Sequence, residues 1–187
     1  MRKVSLFLIL SLCSACMPHS KPAANIEFYG VTSKERIFPP LQEGGEPTKL
    51  REFTISFTSD IEMLELFKKE DGDNPLVWAR LVCTLDDDTN FSVKHNLRRY
   101  ARGEVELTKI GGKVQDDDYL YAFKLNFYEE NDGEGRSSLK SKELNRLLSG
   151  RYGIPCKVVI TVYLSAPYYS NTMYVPVKDL LREVNRQ

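Results

Sequence analysis

Histidine is scarce among the residues that commonly carry catalysis. The chain has two histidines in 187 residues, His19 and His95. The neighbours of His95 are basic and polar, and no Gly-x-Ser-x-Gly motif supplies a nucleophile. The sequence also lacks a glycine-rich phosphate loop, and its histidines and cysteines are too few for a zinc site. We therefore expect no catalytic residues, no metal and no cofactor, and predict that the protein is not an enzyme.

Neither an excess of one charge nor a long internal apolar run is present. Lys and Arg total 26, as do Asp and Glu, and no segment after the N-terminus is apolar over a bilayer-spanning length. These two absences exclude nucleic-acid binding and a polytopic membrane role. The hydrophobic share of 42% is that of an ordinary globular protein, and the length suits one domain.

The N-terminus carries an export signal. Arg2 and Lys3 precede the apolar stretch VSLFLILSL at residues 4–12, and small residues follow at 13–16. This pattern is typical of a secretory signal peptide and is too short for a mature transmembrane helix. We predict that residues 1–15 are removed, that residues 16–24 form the new N-terminus and a spacer, and that residues 25–187 form a single β-rich domain.

Two cysteines at the end of this signal resemble the bacterial lipoprotein signal, in which a cysteine after small residues is acylated. The resemblance implies lipidation of Cys16, which follows Ser14 and Ala15, with Cys13 as the alternative although bulky Leu12 precedes it. It also implies an outer-membrane anchor facing the periplasm, because the residue after Cys16 is not aspartate. An ordinary cut near Ala15 is the other alternative, but it leaves a lone thiol in an oxidising compartment.

The remaining cysteines, Cys83 and Cys156, each lie in a segment that alternates like a β-strand. The alternation at residues 78–85 and 156–164 turns both sulfurs toward the core. In an exported protein, two inward cysteines can form a disulfide, and we predict that Cys83 and Cys156 do so. Two buried free thiols are the alternative.

Strand signals dominate the rest of the chain. Residues 53–58, 119–127 and 173–175 alternate or are rich in β-forming side chains, and residues 26–29 and 105–108 are weaker candidates. Short helical patterns occur at residues 59–69, 141–149 and 177–185, where a strand is the alternative for the first. The predicted class is mainly β, an antiparallel β-sandwich with two or three short helices.

Three surface features invite a binding interpretation. Aromatic residues and a methionine cluster near the C-terminus, and we predict that Tyr168, Tyr169, Met173 and Tyr174 contact a partner. A lid over the core is the alternative for this stretch. The basic residues at 94–102 are interpreted as a solvated loop, with a docking patch as the alternative, and the acidic triplets at 86–88 and 116–118 as solvated turns.

The lipoprotein signal, the short spacer and the late strand entry GRYGIP at residues 150–155 together resemble small periplasmic lipoproteins of Gram-negative bacteria. Some of these are immunity proteins against type VI secretion effectors. The resemblance implies two partners, a membrane bound through acyl groups and a protein, and a function in neutralising a secreted antibacterial effector by occlusion. A structural lipoprotein of an envelope or secretion machine is the alternative.

Overall fold

The computed structural model describes residues 21–40, 47–63, 65–67, 77–104, 118–131, 135–163 and 165–186. Nine β-strands and two α-helices are present in this part of the chain. The strands are β1 (Ile26–Phe38), β2 (Thr48–Ser59), β3 (Val77–Thr84), β4 (Arg99–Glu104), β5 (Tyr119–Asn131), β6 (Gly135–Ser138), β7 (Gly153–Val162), β8 (Tyr168–Tyr169) and β9 (Met173–Pro176). The helices are α1 (Ser141–Leu148) and α2 (Val177–Val184), and Glu65–Phe67 form a single 3-10 turn.

All described strands belong to one antiparallel sheet. Its order is β1-β2-β5-β4-β3-β7-β8, with β6 also paired to β5 and β9 also paired to β7. The mainly-β antiparallel class with short helices is therefore confirmed. The nine described strands form one continuous sheet, whose strand order the sequence did not predict. A pattern of alternation fixes which face is apolar, but it does not fix where a sheet is interrupted.

The inner face of this sheet forms the core. β2 and β5 contribute aromatic side chains, of which Phe57 and Phe123 stack with ring centroids 5.6 Å apart and Phe53 meets Phe127 edge-on at 5.1 Å. β3 and β7 contribute smaller side chains that alternate inward as the sequence predicts. These are Ala79, Leu81, Cys83, Ile154, Cys156, Val158 and Ile160. The predicted inward faces of the two cysteine-bearing strands are therefore confirmed.

The two ends of the sheet approach each other where β1 contacts β9. The side-chain nitrogen of Asn171 donates to the side-chain oxygen of Asn25 at 2.6 Å. Further along β1, the amide and hydroxyl of Ser33 both donate to the Glu183 carboxylate of α2 at 2.9 Å. Helix α2 thus lies against the edge of the sheet, and its side chains Val177, Leu180 and Val184 are buried there.

Two of the three predicted helices are present at their predicted positions. Helix α1 ends before Gly150, whose φ of +80° is the left-handed conformation that glycine adopts without strain. Helix α2 begins after Pro176, as expected. The helical prediction at residues 59–69 is wrong in its first part, because β2 continues to Ser59, and only the turn Glu65–Phe67 is helical among the described residues there.

Part of the predicted spacer belongs to the folded body. Ala24 is completely buried, and Lys21 donates to the carbonyl of Leu66 and lies 4.3 Å from the ring centroid of Phe67. The last residue of the predicted spacer, Ala24, is therefore packed on the domain, and Lys21 contacts it. The predicted lipidation sites Cys13 and Cys16, the strand at 105–108, and Asp116 and Asp117 lie outside the described residues. None of the described helices has the length and hydrophobicity needed to span a bilayer.

Candidate functional site

Cys83 and Cys156 form a disulfide, as the sequence predicts. They lie directly opposite each other on the adjacent antiparallel strands β3 and β7, with Cα atoms 4.0 Å apart. Both residues are completely buried in the core. The cross-link therefore joins two neighbouring strands on the inner face of the sheet.

Two of the four predicted partner contacts are core side chains, which corrects the prediction. Tyr168 is 7% exposed and Met173 is 3% exposed. The hydroxyl of Tyr168 accepts a hydrogen bond from the amide of Ala24 at 2.7 Å and donates to the carbonyl of Pro22 at 3.0 Å. This arrangement is the lid alternative, because burial of an aromatic body with a satisfied hydroxyl stabilises the fold and leaves nothing for a partner.

The other two residues of that stretch lie on the outer surface. Tyr169 is half-buried on β8, and its hydroxyl accepts a hydrogen bond from the amide of Val93 at 3.2 Å. Tyr174 on β9 is 64% exposed. Only Tyr174 of the four therefore presents most of its side chain to solvent.

Tyr174 is one of three exposed tyrosines on or beside β1, β7 and β9, which we name the tyrosine patch: Tyr29, Tyr152 and Tyr174. Tyr152 is 99% exposed and precedes Gly153, on which a Cβ atom would lie 3.5 Å from the Cβ of Tyr174. Tyr29 lies on β1, a strand that contacts β9, and is 64% exposed. Exposed tyrosines in a group supply large contact area at a low cost in conformational entropy.

A second candidate site lies on the outer face of β3, β4 and β7, beneath the loop at residues 85–98. Side-chain turns shape this loop, with the Asn90 amide donating to Asp88 at 2.9 Å and the Ser92 amide to Asn90 at 3.1 Å. Its apolar residues Phe91 and Leu97 are buried against the sheet. Between loop and sheet remains a pocket of about 190 Å³.

The walls of this pocket combine charged and apolar groups. Arg80 on β3, Arg102 on β4, His95 in the loop and Glu130 on β5 supply the charges. The apolar lining comes from Val82, Phe91, Leu97 and Val159. Asn90, Ser92, Asn96 and Tyr100 supply amide and hydroxyl groups. Sequence analysis missed this site because its residues come from four separate segments, which only strand pairing brings together.

Glu130 is held by its neighbours in the pocket wall. The Tyr100 hydroxyl donates to the Glu130 carboxylate at 2.6 Å, and burial together with this carboxylate raises the pKa of Tyr100. Arg136 stands with its guanidinium 4.6 Å from the ring centroid of Tyr128, and its proximity to the Tyr100 hydroxyl raises the pKa of Arg136. The three groups form a connected network along β4, β5 and β6.

The acidic triplet at residues 86–88 forms a bend in which Asp87 and Asp88 are exposed, as predicted, and its carboxylates pair with basic side chains. Asp86 lies 3.4 Å from Arg99, and Asp87 pairs with Arg151. Nε2 of His95 lies 2.5 Å from Asp88, and this hydrogen bond is the main cause that lowers the pKa of Asp88. No group of three or more possible metal-ligating side chains occurs within the described ranges.

The basic stretch at residues 94–102 is divided by the fold. Arg98 keeps a largely exposed side chain, whereas Nε of Arg99 donates to Glu129 at 2.7 Å. Arg102 lies two positions beyond Tyr100 on the outer face of β4, where it lines the pocket. The stretch is therefore neither one solvated loop nor one docking patch, since its residues separate onto a loop and a strand.

The chain matches no protein-family model, and comparison with curated proteins and with solved structures also finds no match. The two candidate surfaces, the tyrosine patch and the pocket, are therefore interpreted from their own geometry.

Proposed function

We propose that this protein is a lipid-anchored periplasmic binding protein of the outer membrane, which neutralises a secreted antibacterial effector by covering its functional surface. The signal at residues 1–16 supports export and acylation. The disulfide between Cys83 and Cys156 supports an oxidising compartment, because such bonds persist outside the reducing cytosol.

The tyrosine patch is the observation that carries the binding role. Tyrosine is enriched at protein interfaces because its ring supplies contact area and its hydroxyl supplies hydrogen bonds. Tyr174 lies on β9, which pairs with β7 next to the disulfide, and Tyr152 directly precedes β7. The patch therefore stands on a rigid part of the sheet, and little entropy is lost when a partner binds.

Tethering keeps this surface close to the membrane. If Cys16 carries the acyl chains, five residue steps separate it from Lys21, which is already packed on the domain. Five extended residues span at most about 18 Å. The domain thus remains near the inner surface of the outer membrane, where an effector that enters through this membrane is first encountered.

A pull-down with this protein as bait, from the secreted proteins of its own producer, tests the proposal. We expect the full-length protein to retain one secreted protein, and a cell that expresses it to survive delivery of that protein. The double variant Y152A/Y174A should lose both effects while its melting temperature stays the same. Y163A is the matched control, because Tyr163 is 69% exposed and follows the opposite end of β7.

Three results would contradict the proposal in different ways. Equal capture by Y152A/Y174A and by wild type would remove the tyrosine patch from the interface. Capture of a component of the secretion apparatus in place of a secreted protein would favour the structural role. Mass spectrometry of the mature N-terminus that finds no acyl group on Cys16 or Cys13 would exclude the lipid anchor.

A further inference from the structure

Two exposed aromatic side chains lie at one end of the sheet, beside each other. Trp78, the single tryptophan of the chain, is 47% exposed near the start of β3, and Tyr163 is 69% exposed directly after β7. Trp78 lies opposite Thr161 in the pairing of β3 with β7, and Tyr163 follows Thr161 by two residues. The two rings therefore stand at the same end of neighbouring strands and outside the core.

The segment that leads from the proposed lipid anchor packs at this same end. The hydroxyl of Tyr168 accepts a hydrogen bond from the amide of Ala24 at 2.7 Å. Tyr168 lies opposite Ile160 of β7, and Ile160 lies opposite Ala79 of β3. Two strand spacings therefore separate Tyr168 from Ala79, which is roughly 10 Å. Since Trp78 directly precedes Ala79, the tether meets the sheet at the level of the exposed aromatic pair.

A short tether holds this end close to the bilayer. The inference rests on the proposed acylation of Cys16, from which five residue steps lead to Lys21. These steps span at most about 18 Å. A surface kept so close to a membrane meets it at a high effective concentration, so that a contact too weak to form in solution can form in the anchored protein.

Tryptophan and tyrosine have the chemistry that suits the headgroup layer of a bilayer. Each combines an apolar ring with one polar group, and both residue types concentrate at membrane–water interfaces for this reason. The described residues that precede β1 and follow β2 at this end carry more acidic than basic side chains, namely Lys21, Asp60, Glu62 and Glu65. These two segments have no basic excess to attract anionic lipid, and a zwitterionic bilayer is the surface that fits.

We propose that Trp78 and Tyr163 enter the headgroup layer of the bilayer that holds the acyl anchor. Strand β7 has ten residues and spans about 30 Å, with Tyr163 following one end and Tyr152 preceding the other. Tyr174 lies opposite Pro155, near the Tyr152 end. Contact through Trp78 and Tyr163 therefore orients the domain so that Tyr152 and Tyr174 point away from the membrane, toward a partner in the periplasm.

The fluorescence of Trp78 tests this contact without a label, because the chain has no other tryptophan. The mature acylated protein is reconstituted into phosphatidylcholine vesicles and, in parallel, into vesicles of phosphatidylcholine that is brominated on its acyl chains near the headgroup. Bromine quenches tryptophan only at short range. We expect Trp78 to lose most of its emission in the brominated vesicles and to be shielded from iodide in the surrounding water.

Moving the tryptophan to the other end of β7 gives the matched control. W78F/Y152W should be quenched by iodide and not by the brominated lipid, because position 152 is on the far side of the domain. Y163A should reduce the bromine quenching of Trp78, since one of the two rings is lost. The acyl chains still hold Y163A on the vesicle, so its capture of an effector should stay the same.

Two outcomes would overturn the inference. One is equal emission of Trp78 in the two kinds of vesicle, together with full access to iodide. The other is equal bromine quenching of wild type and W78F/Y152W, which would show that the domain has no fixed orientation. Both are measured on protein whose acylation is established by mass spectrometry, and neither affects capture through Tyr152 and Tyr174. A protein without acyl groups would instead remove the anchor from the proposed function, and this contact with it.

Discussion

The hydroxyl oxygen of Tyr168 lies 2.7 Å from the amide nitrogen of Ala24, and this contact joins residues 144 positions apart. It connects β8 at one end of the sheet path to the residues that precede β1 at the other end. The same hydroxyl donates to the carbonyl of Pro22. One side chain thus satisfies two backbone groups of the segment through which the proposed membrane tether enters the domain.

Removal of this hydroxyl should destabilise the protein. Y168F leaves the amide of buried Ala24 and the carbonyl of Pro22 without their partner, which costs about 1–3 kcal/mol. Y168A should cost more, because the buried ring is lost as well. Urea unfolding measures both effects. Y174F is the control with no expected change, and a Y168F variant as stable as wild type would mean that water replaces the hydroxyl.

The disulfide should stabilise the domain by restricting the unfolded chain. Cys83 and Cys156 are separated by 73 positions, and closing a loop of this size is worth about 4 kcal/mol in the chain-entropy model. The double variant C83A/C156A should lose stability of this order in chemical denaturation. Digestion without reductant should yield one cross-linked peptide pair, whereas recovery of both residues as alkylated thiols would contradict the structure.

Gly103 should not tolerate a side chain. A Cβ atom at this position would lie 2.2 Å from the carbonyl oxygen of Lys124, so β4 and β5 would have to separate. Overpacking against backbone costs roughly 1–3 kcal/mol or more, and we expect G103A to lower the melting temperature accordingly. G30A is the matched control in β1, where nothing lies within 4 Å of the added atom. Equal stability of the two variants would show that β4 adjusts freely.

Acid should weaken the contact between α2 and β1. Burial acts to raise the pKa of Glu183, but hydrogen bonds from Ser33 and Arg186 outweigh it, and the net pKa is lowered. The unfolded chain then binds the proton more readily. The stabilisation is therefore complete above the ordinary carboxyl pKa and is lost as pH falls through the folded-state value.

Denaturation between about pH 7 and about pH 3 measures this linkage. E183Q should be less stable than wild type at neutral pH and should show a smaller loss of stability on acidification. E27Q, at an exposed position of the same strand as Ser33, should keep the wild-type slope. An unchanged slope in E183Q would assign the acid sensitivity to other carboxylates.

Local patterns predicted the strands that carry the core. The alternation of residues 53–58, 78–85 and 156–162 is a property of the chain itself. It correctly predicted that Phe57, Cys83 and Cys156 face inward. Strand faces could not show that the two cysteines are opposite, because register depends on which strands pair. The pairing of β3 with β7 decided that the predicted disulfide forms.

The candidate surfaces depended far more on the tertiary structure. Composition singled out the tyrosines near the C-terminus, but only tertiary packing decided that Tyr168 is buried and Tyr174 exposed. Arg80, Arg102 and Glu130 lie far apart in sequence and meet because β3, β4 and β5 are neighbours. The sequence by itself determined the class of fold and the inward faces of its strands, since these follow from local order. Burial and the grouping of side chains were decided by contacts between distant segments, which no local pattern contains.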